Sequence, residues 1–200
     1  MSRLLRALAI LVLVGSCGGR VSGPIPRDLD NACAILDEQP QYMRAFRATA
    51  SRWGVPVHVQ MATIHQESRF DGEARTPFRY VLGVIPMGRQ SSAYGYSQAL
   101  DGTWDEYREE TNRFSARRND IYDATDFMGW YMAKSRENLG IPLDDARNQY
   151  LAYHEGRTGY RRGSYNAKPW LLRVADKVEE RSLMYQAQLQ RCGRGRAGLF

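Results

Sequence analysis

The sequence predicts a mainly helical single domain, and three observations carry that expectation. Apolar residues recur at three- and four-residue spacing through most of the chain, and glycine and proline stand where those runs stop and start. Only one short stretch, Phe78 to Val84, favours a strand. With 200 residues, 43% hydrophobic and 25% charged, the chain can bury a core without a metal to hold it together.

The elements follow in order from Asn31, where folded structure is expected to begin. Tyr42, Met43, Phe46, Ala50 and Trp53 mark one helical face, and Gly54 stands where a helix end wants a left-handed residue. Pro56 opens a second helix carrying Val59, Met61, Ala62 and Ile64 and ending near Glu67 and Ser68. Residues 71–94 lose the helical period and hold Gly72, Pro77, Gly83, Pro86 and Gly88, which predicts a long loop or a short hairpin. Thr103 and Glu106 have the spacing of a capping box, with Thr103 as the expected N-cap. A further helix runs through Ile121, Ala124, Phe127, Met128, Tyr131 and Met132 and stops by Gly140-Ile141-Pro142. A shorter one from about Asp144 carries Tyr150, Leu151 and Tyr153 to Gly156, and Pro169 opens a last long helix with Trp170, Leu171, Val174, Ala175 and Val178.

The N-terminus is of another kind. Arg3 and Arg6 precede an apolar run from Ala7 to Val14, followed by Gly15 and Ser16, the build of a secretory signal peptide. The run is shorter than the ~20 residues a membrane-spanning helix needs. Val14-Gly15-Ser16-Cys17 resembles the lipobox of bacterial lipoproteins, which implies a lipidated Cys17 and a membrane anchor facing the periplasm. Gly18 in place of aspartate resembles the default for sorting to the outer membrane. An ordinary signal peptide cut elsewhere is the other reading. The expected organisation is a signal peptide over 1–16, a lipidated tether over 17–30, a domain over 31–192 and a flexible tail over 193–200.

Export would bring Cys33 and Cys192 into an oxidising compartment. With Cys17 acylated they have only each other, and a bridge would close a loop of 159 residues (192 − 33), stabilising by roughly 5 kcal/mol in the chain-entropy treatment. Two buried free thiols are the alternative. Loss of Arg3 and Arg6 lowers the net charge from +6 to +4. A basic face would suit an anionic polymer, but only three of 28 basic residues are lysine, so arginine bias explains the charge equally well. Nothing resembles a nucleic-acid module, and none is expected as a partner.

Glu67 closes an apolar helix just before Phe70, where a carboxyl can emerge at the mouth of a greasy cleft and keep its proton near neutral pH. By itself a glutamate at a helix end is usually solvated. Three segments in order change its weight. His65-Gln66-Glu67-Ser68-Arg69-Phe70 resembles the catalytic glutamate-serine motif of lytic transglycosylases with a soluble-transglycosylase domain. Ala93-Tyr94-Gly95-Tyr96-Ser97-Gln98 resembles their Gly-Leu-Met-Gln segment, and Leu151-Ala152-Tyr153-His154-Glu155-Gly156 their Ala-Tyr-Asn-x-Gly segment.

The resemblance covers roughly residues 42–188. It implies a lysozyme-like fold with a loop or hairpin insertion by the active-site cleft, and peptidoglycan glycan strands as substrate. Glu67 would be the acid and base, Ser68 and Tyr153 its support, with the Tyr153 hydroxyl bonded to Glu67. Gln98, Tyr96, Ser97 and His154 would meet the sugar. Tyr96 and Ser97 stand where leucine and methionine are usual, and His154 replaces asparagine. Glu67 and Gly95 are 28 positions apart (95 − 67), longer than the compact family pattern, so residues 72–92 read as an insertion lining or covering the cleft.

Asp71, Glu73 and Glu155 are nearby carboxylates; one facing Glu67 across room for a water would favour an inverting muramidase. A glycan-binding lipoprotein without turnover is the third reading. His58, His65, His154 and Glu155 make no recognisable metal motif, since Thr158 stands where the second histidine of the zinc-protease helix belongs. No phosphate loop or nucleophile elbow occurs, and neither metal nor cofactor is expected.

Overall fold

The computed structural model describes residues 22–81 and 85–196, with the backbone alone for residues 79–81, 85–86 and 193–196. The expected signal peptide, Cys17, the apolar residues Leu82 and Val84, and residues 197–200 lie outside the described part. The architecture is mainly helical, as the periodicity predicts. Its helices are α1 (Ala32–Glu38), α2 (Pro40–Trp53), α3 (Val57–Ser68), α4 (Asp101–Thr111), α5 (Ile121–Leu139), α6 (Ala146–Arg161) and α7 (Pro169–Arg196). A 3₁₀ turn, Ser164–Ala167, joins the last two, and a hairpin of β1 (Phe78–Val81) and β2 (Ile85–Arg89) separates α3 from α4. Among the described residues no helix is long and apolar enough to cross a membrane.

Helix ends fall where local chemistry places them. Gly54 and Gly140 close α2 and α5 in left-handed geometry, and Asn31, Asp120 and Asp145 accept backbone N–H groups at the starts of α1, α5 and α6. The expected capping box is a correction: α4 begins at Asp101 with Leu100 as its N-cap, and Thr103 lies inside the first turn. The Asp101 N–H is satisfied instead by Ser92 Oγ at 3.1 Å, while the Asp101 carboxylate sits at the positive end of the helix and pairs with Arg118 at 2.7 Å. A contact distant in sequence replaces the local cap. Helix α6 is broken at Gly156, whose φ 73° and ψ 155° are not helical, so its first segment stops where the sequence places the end and a second helical segment carries the chain on to Arg161.

Helix α5 is buried on nearly every side and forms the centre of the domain. It lies close against α2 because Gly129 has no side chain; a Cβ there would come within 2.6 Å of both Thr49 and Trp53. Helix α7 covers α3 and α6, with Leu171, Ala175, Val178 and Tyr185 in the main core beside Phe46, Met61, Ile64 and Leu151. A second cluster of Trp104, Tyr107, Phe127, Trp130 and Tyr131 joins α4 to α5.

Among the described residues, contacts with the helical body reach back from Asn31 to Ser22. Ser22 Oγ donates to Glu73 at 3.0 Å, Gln39 Nε2 to Pro24 O at 2.7 Å, and Tyr185 OH to Leu29 O. Arg181 pairs with Asp30 at 2.7 Å, and Gln188 Oε1 accepts the Ala32 N–H, so the segment from Leu29 into α1 is fastened along α7. Cys33 and Cys192 form a disulfide with Cα atoms 6.2 Å apart, tying α1 to the far end of α7. Cys33→Ser is therefore expected to cost up to ~5 kcal/mol of stability for a loop of 159 residues, read as a lower thermal midpoint with the helical circular dichroism intact. A midpoint identical to that of the oxidised wild type would contradict it.

Candidate active site

The chain reverses sharply where α3 ends. Arg69 and Phe70 both take positive φ, 53° and 62°, which costs a non-glycine residue. The reversal holds because Phe70 is fully buried and stacks on Tyr42 with centroids 5.8 Å apart. It leaves Glu67 and Ser68 on the last turn of α3, directed at residues 92–99 and α6.

Residues 92–99 are clamped from two sides. Gly95, at φ 77°, lies so close to the backbone that a Cβ would be 2.1 Å from Arg118 O, so only glycine fits. Its N–H donates to Ala74 O at 3.0 Å, the Tyr96 N–H donates to Arg118 O at 3.2 Å, and Arg118 Nη1 donates to the carbonyls of Ser92 and Ala99. The hairpin base joins the same network, with Thr76 Oγ1 donating to Ser91 O at 2.9 Å and an isolated bridge between Arg75 and Tyr94. The insertion is thus fastened directly to the loop that faces Glu67.

Glu67 is partly exposed at its outer edge, but its carboxyl sits where water is largely excluded. Burial raises its pKa to about 8, and a hydrogen bond from the Tyr150 phenol opposes that shift. Tyr150 is itself buried on α6, and burial with the adjacent Glu67 charge pushes its own pKa well above the usual phenol range. Three positions further on, Tyr153 donates its hydroxyl to Ser97 O at 2.6 Å rather than to Glu67. It remains close enough for the Glu67 charge to add to the burial that raises its pKa. The expectation that Tyr153 bonds Glu67 is corrected by one helical turn: Tyr150 occupies that role, and a tyrosine pair at i and i+3 was the available signal.

The other expected residues separate by what they present. Ser68 is buried, and its Oγ donates to Tyr96 O at 2.8 Å, tying the end of α3 to the loop. The Tyr96 and Ser97 side chains, expected against the sugar, are only 1% and 0% exposed and cannot reach one. Tyr96 OH lies 3.1 Å from Tyr42 OH in the core, and Ser97 Oγ is buried without a hydrogen-bond partner among the described residues. Gln98 lies at the cleft, with both amide hydrogens taken by Ala74 O at 3.0 Å and Gly95 O at 2.8 Å, so it offers its carbonyl oxygen. His154 lines the same cavity with Gln98, Leu100, Phe127, Tyr131 and Tyr153.

The competing carboxylates are engaged elsewhere. Glu73 accepts from Tyr94 at 2.6 Å, from Asn119 at 2.8 Å and from Ser22. Glu155 is held by Lys168, Ser164 and His154, and Asp71 Oδ1 accepts the Glu73 N–H at 2.8 Å. The Glu67 shift comes from burial, partly offset by one phenol, and no neighbouring charge is among its causes. The histidines do not converge: His58 Nδ1 meets Ser182 Oγ at 2.8 Å, and His65 lies on the face of α3 turned toward α7. Among the described residues no three metal-ligating side chains gather.

A raised carboxyl pKa fixes a sign. Below pH 4.5 Glu67 is protonated folded or unfolded; between 4.5 and about 8 the unfolded chain releases the proton that the folded one keeps, so stability falls as pH rises. Glu67→Gln removes this cost. Its thermal midpoint should match wild type near pH 4 and exceed it increasingly toward pH 8; a constant difference across that range would contradict the shift.

No curated protein matches the sequence. A family model described as the transglycosylase SLT domain matches residues 5–192, nearly the whole chain, and the helical architecture is that of the lysozyme-like SLT fold. The chain therefore belongs to the transglycosylase SLT domain family, whose members cleave the glycan of peptidoglycan.

Proposed function

We propose that this protein is a lytic transglycosylase in which Glu67 alone supplies acid and base. The observation that carries this reading is the desolvated Glu67 carboxyl, still protonated near neutral pH, with Glu73 and Glu155 bound up in other contacts. Protonated Glu67 donates to the glycosidic oxygen between N-acetylmuramic acid and N-acetylglucosamine, and the C1–O bond breaks. The resulting carboxylate, stabilised by the Tyr150 O–H, takes the proton of the muramic 6-hydroxyl. O6 then closes on C1 to give the 1,6-anhydro ring. No water is consumed and Glu67 regains its proton, whereas the two-carboxylate scheme needs a second carboxylate, as base for a water or as the nucleophile itself.

In this reading Ser68 and Tyr153 act through the loop: each hydroxyl holds a backbone carbonyl of residues 96–97, keeping the cleft wall against Glu67. Gln98 and His154 meet the glycan. We extend the proposal to Cys17 as a lipid anchor that holds the enzyme on the periplasmic face of the outer membrane, where its substrate lies.

Digestion of purified sacculi should release fragments with anhydro ends, one water lighter by mass spectrometry than reducing ends. Glu67→Gln should lower turnover by about 10² to 10⁴ while keeping strand affinity. Reducing ends would make the protein a hydrolase, and activity within a few-fold of wild type in the variant would remove Glu67 from the mechanism. For the anchor, Cys17→Ser should move the protein from the membrane to the soluble periplasmic fraction; unchanged membrane association would exclude lipidation at that residue.

A further inference from the structure

Directly after Tyr153 the structure departs from the family pattern in a way that builds a side-chain device. The Glu155 carboxylate is only 4% exposed and is held by Lys168 Nζ at 2.7 and 3.0 Å, by Ser164 Oγ, and by His154 Nδ1 at 3.1 Å. The kink at Gly156 and the 3₁₀ turn bring Lys168 and Ser164 back to it. Burial alone would raise this carboxyl, but these hydrogen bonds hold its pKa down at about 2. An ionised carboxylate only accepts hydrogen bonds, so the Nδ1 atom of His154 must be the donor. Trp170, edge-on at 5.3 Å, and Tyr150 at 6.4 Å flank the same ring.

We propose that Glu155 is a positioning residue that holds the His154 ring by its Nδ1–H, so that Nε2 faces the cleft to accept an N–H or O–H of the glycan. This inference rests on the reading of the cleft as the glycan site. Gln98 across the cavity also presents an acceptor, because its amide hydrogens are taken by the backbone. The wall between them is built from Phe127, Tyr131 and Tyr153. The cavity therefore selects sugar groups that donate hydrogen bonds and opposes carboxylates. An asparagine at position 154 could rotate to donate or accept; the His154–Glu155 pair removes that choice.

The test joins two measurements on the purified domain. Two-bond ¹⁵N correlation spectra, with His154→Ala for assignment, should show the Nδ1–H tautomer for His154; Glu155→Gln, which can donate to Nδ1, should shift it toward Nε2–H. On purified glycan strands, Glu155→Gln and His154→Ala should each raise KM about fivefold, the worth of one hydrogen bond, with kcat within about twofold. The double variant should be no worse than either single one. Strand affinity read in a Glu67→Gln background gives the same comparison without turnover. An Nε2–H tautomer in wild type, or folded variants with unchanged affinity, overturns the inference. Wild type that binds strands but never cleaves them would instead overturn the catalytic reading and leave this one standing.

Discussion

The buried carboxylate of Asp126 is the contact on which the arrangement of helices depends. Arg52 and Trp53 donate to it from α2, Tyr107 from α4, and Arg113 from the segment that follows, at 2.7 to 3.0 Å. A carboxylate on a helix buried nearly all round would be expelled without such partners. With them it fixes three parts of the chain against the central helix. Its neighbour Phe127 is thereby placed beneath Tyr153, edge-on with centroids 6.4 Å apart, and Tyr131 flanks the same ring at 5.1 Å. The cleft wall thus inherits its position from a polar contact in the interior.

From that wall outward, the site is assembled mainly through backbone. Ser68 and Tyr153 reach the carbonyls of Tyr96 and Ser97, and Gly95 and Tyr96 answer with N–H groups to Ala74 and Arg118. This accounts for the freedom at positions 96 and 97, where tyrosine and serine stand in place of the leucine and methionine usual in the family. A carbonyl accepts a hydrogen bond whatever side chain follows it, so long as that side chain packs. Gly95 has no such freedom, because what its position excludes is any side chain at all.

Legibility from sequence followed the range of the interactions. Helices whose ends are set by their own glycines and prolines, such as α2 at Gly54 and α7 at Pro169, were readable to within a residue or two. The start of α4 was not, because Ser92 and Arg118, distant along the chain, do the capping. In the site, Glu67 and the faces of α3 and α6 were readable from motif and period. The exchange of Tyr153 for Tyr150 at the carboxyl was not, since both lie on one helical face and only the angle between α3 and α6 decides between them. Tyr96 looked like a cleft residue for a related reason: its motif names a place in the loop, while the hydroxyl of Tyr42 in the core decides which way the ring turns.

The strap from Ser22 to α1 gives the domain a mechanical polarity. From Gly72 and Glu73, just past the end of α3, it runs by way of Pro24, Leu29 and Asp30 to the bridge between Cys33 and Cys192. Tension along this segment meets hydrogen bonds and ion pairs before it reaches a covalent stop. The first bond in that series ends on Glu73, which Tyr94 and Asn119 hold independently. A pull along this segment would therefore be borne in the end by the bridge, which keeps α1 joined to α7 after the weaker contacts have given way.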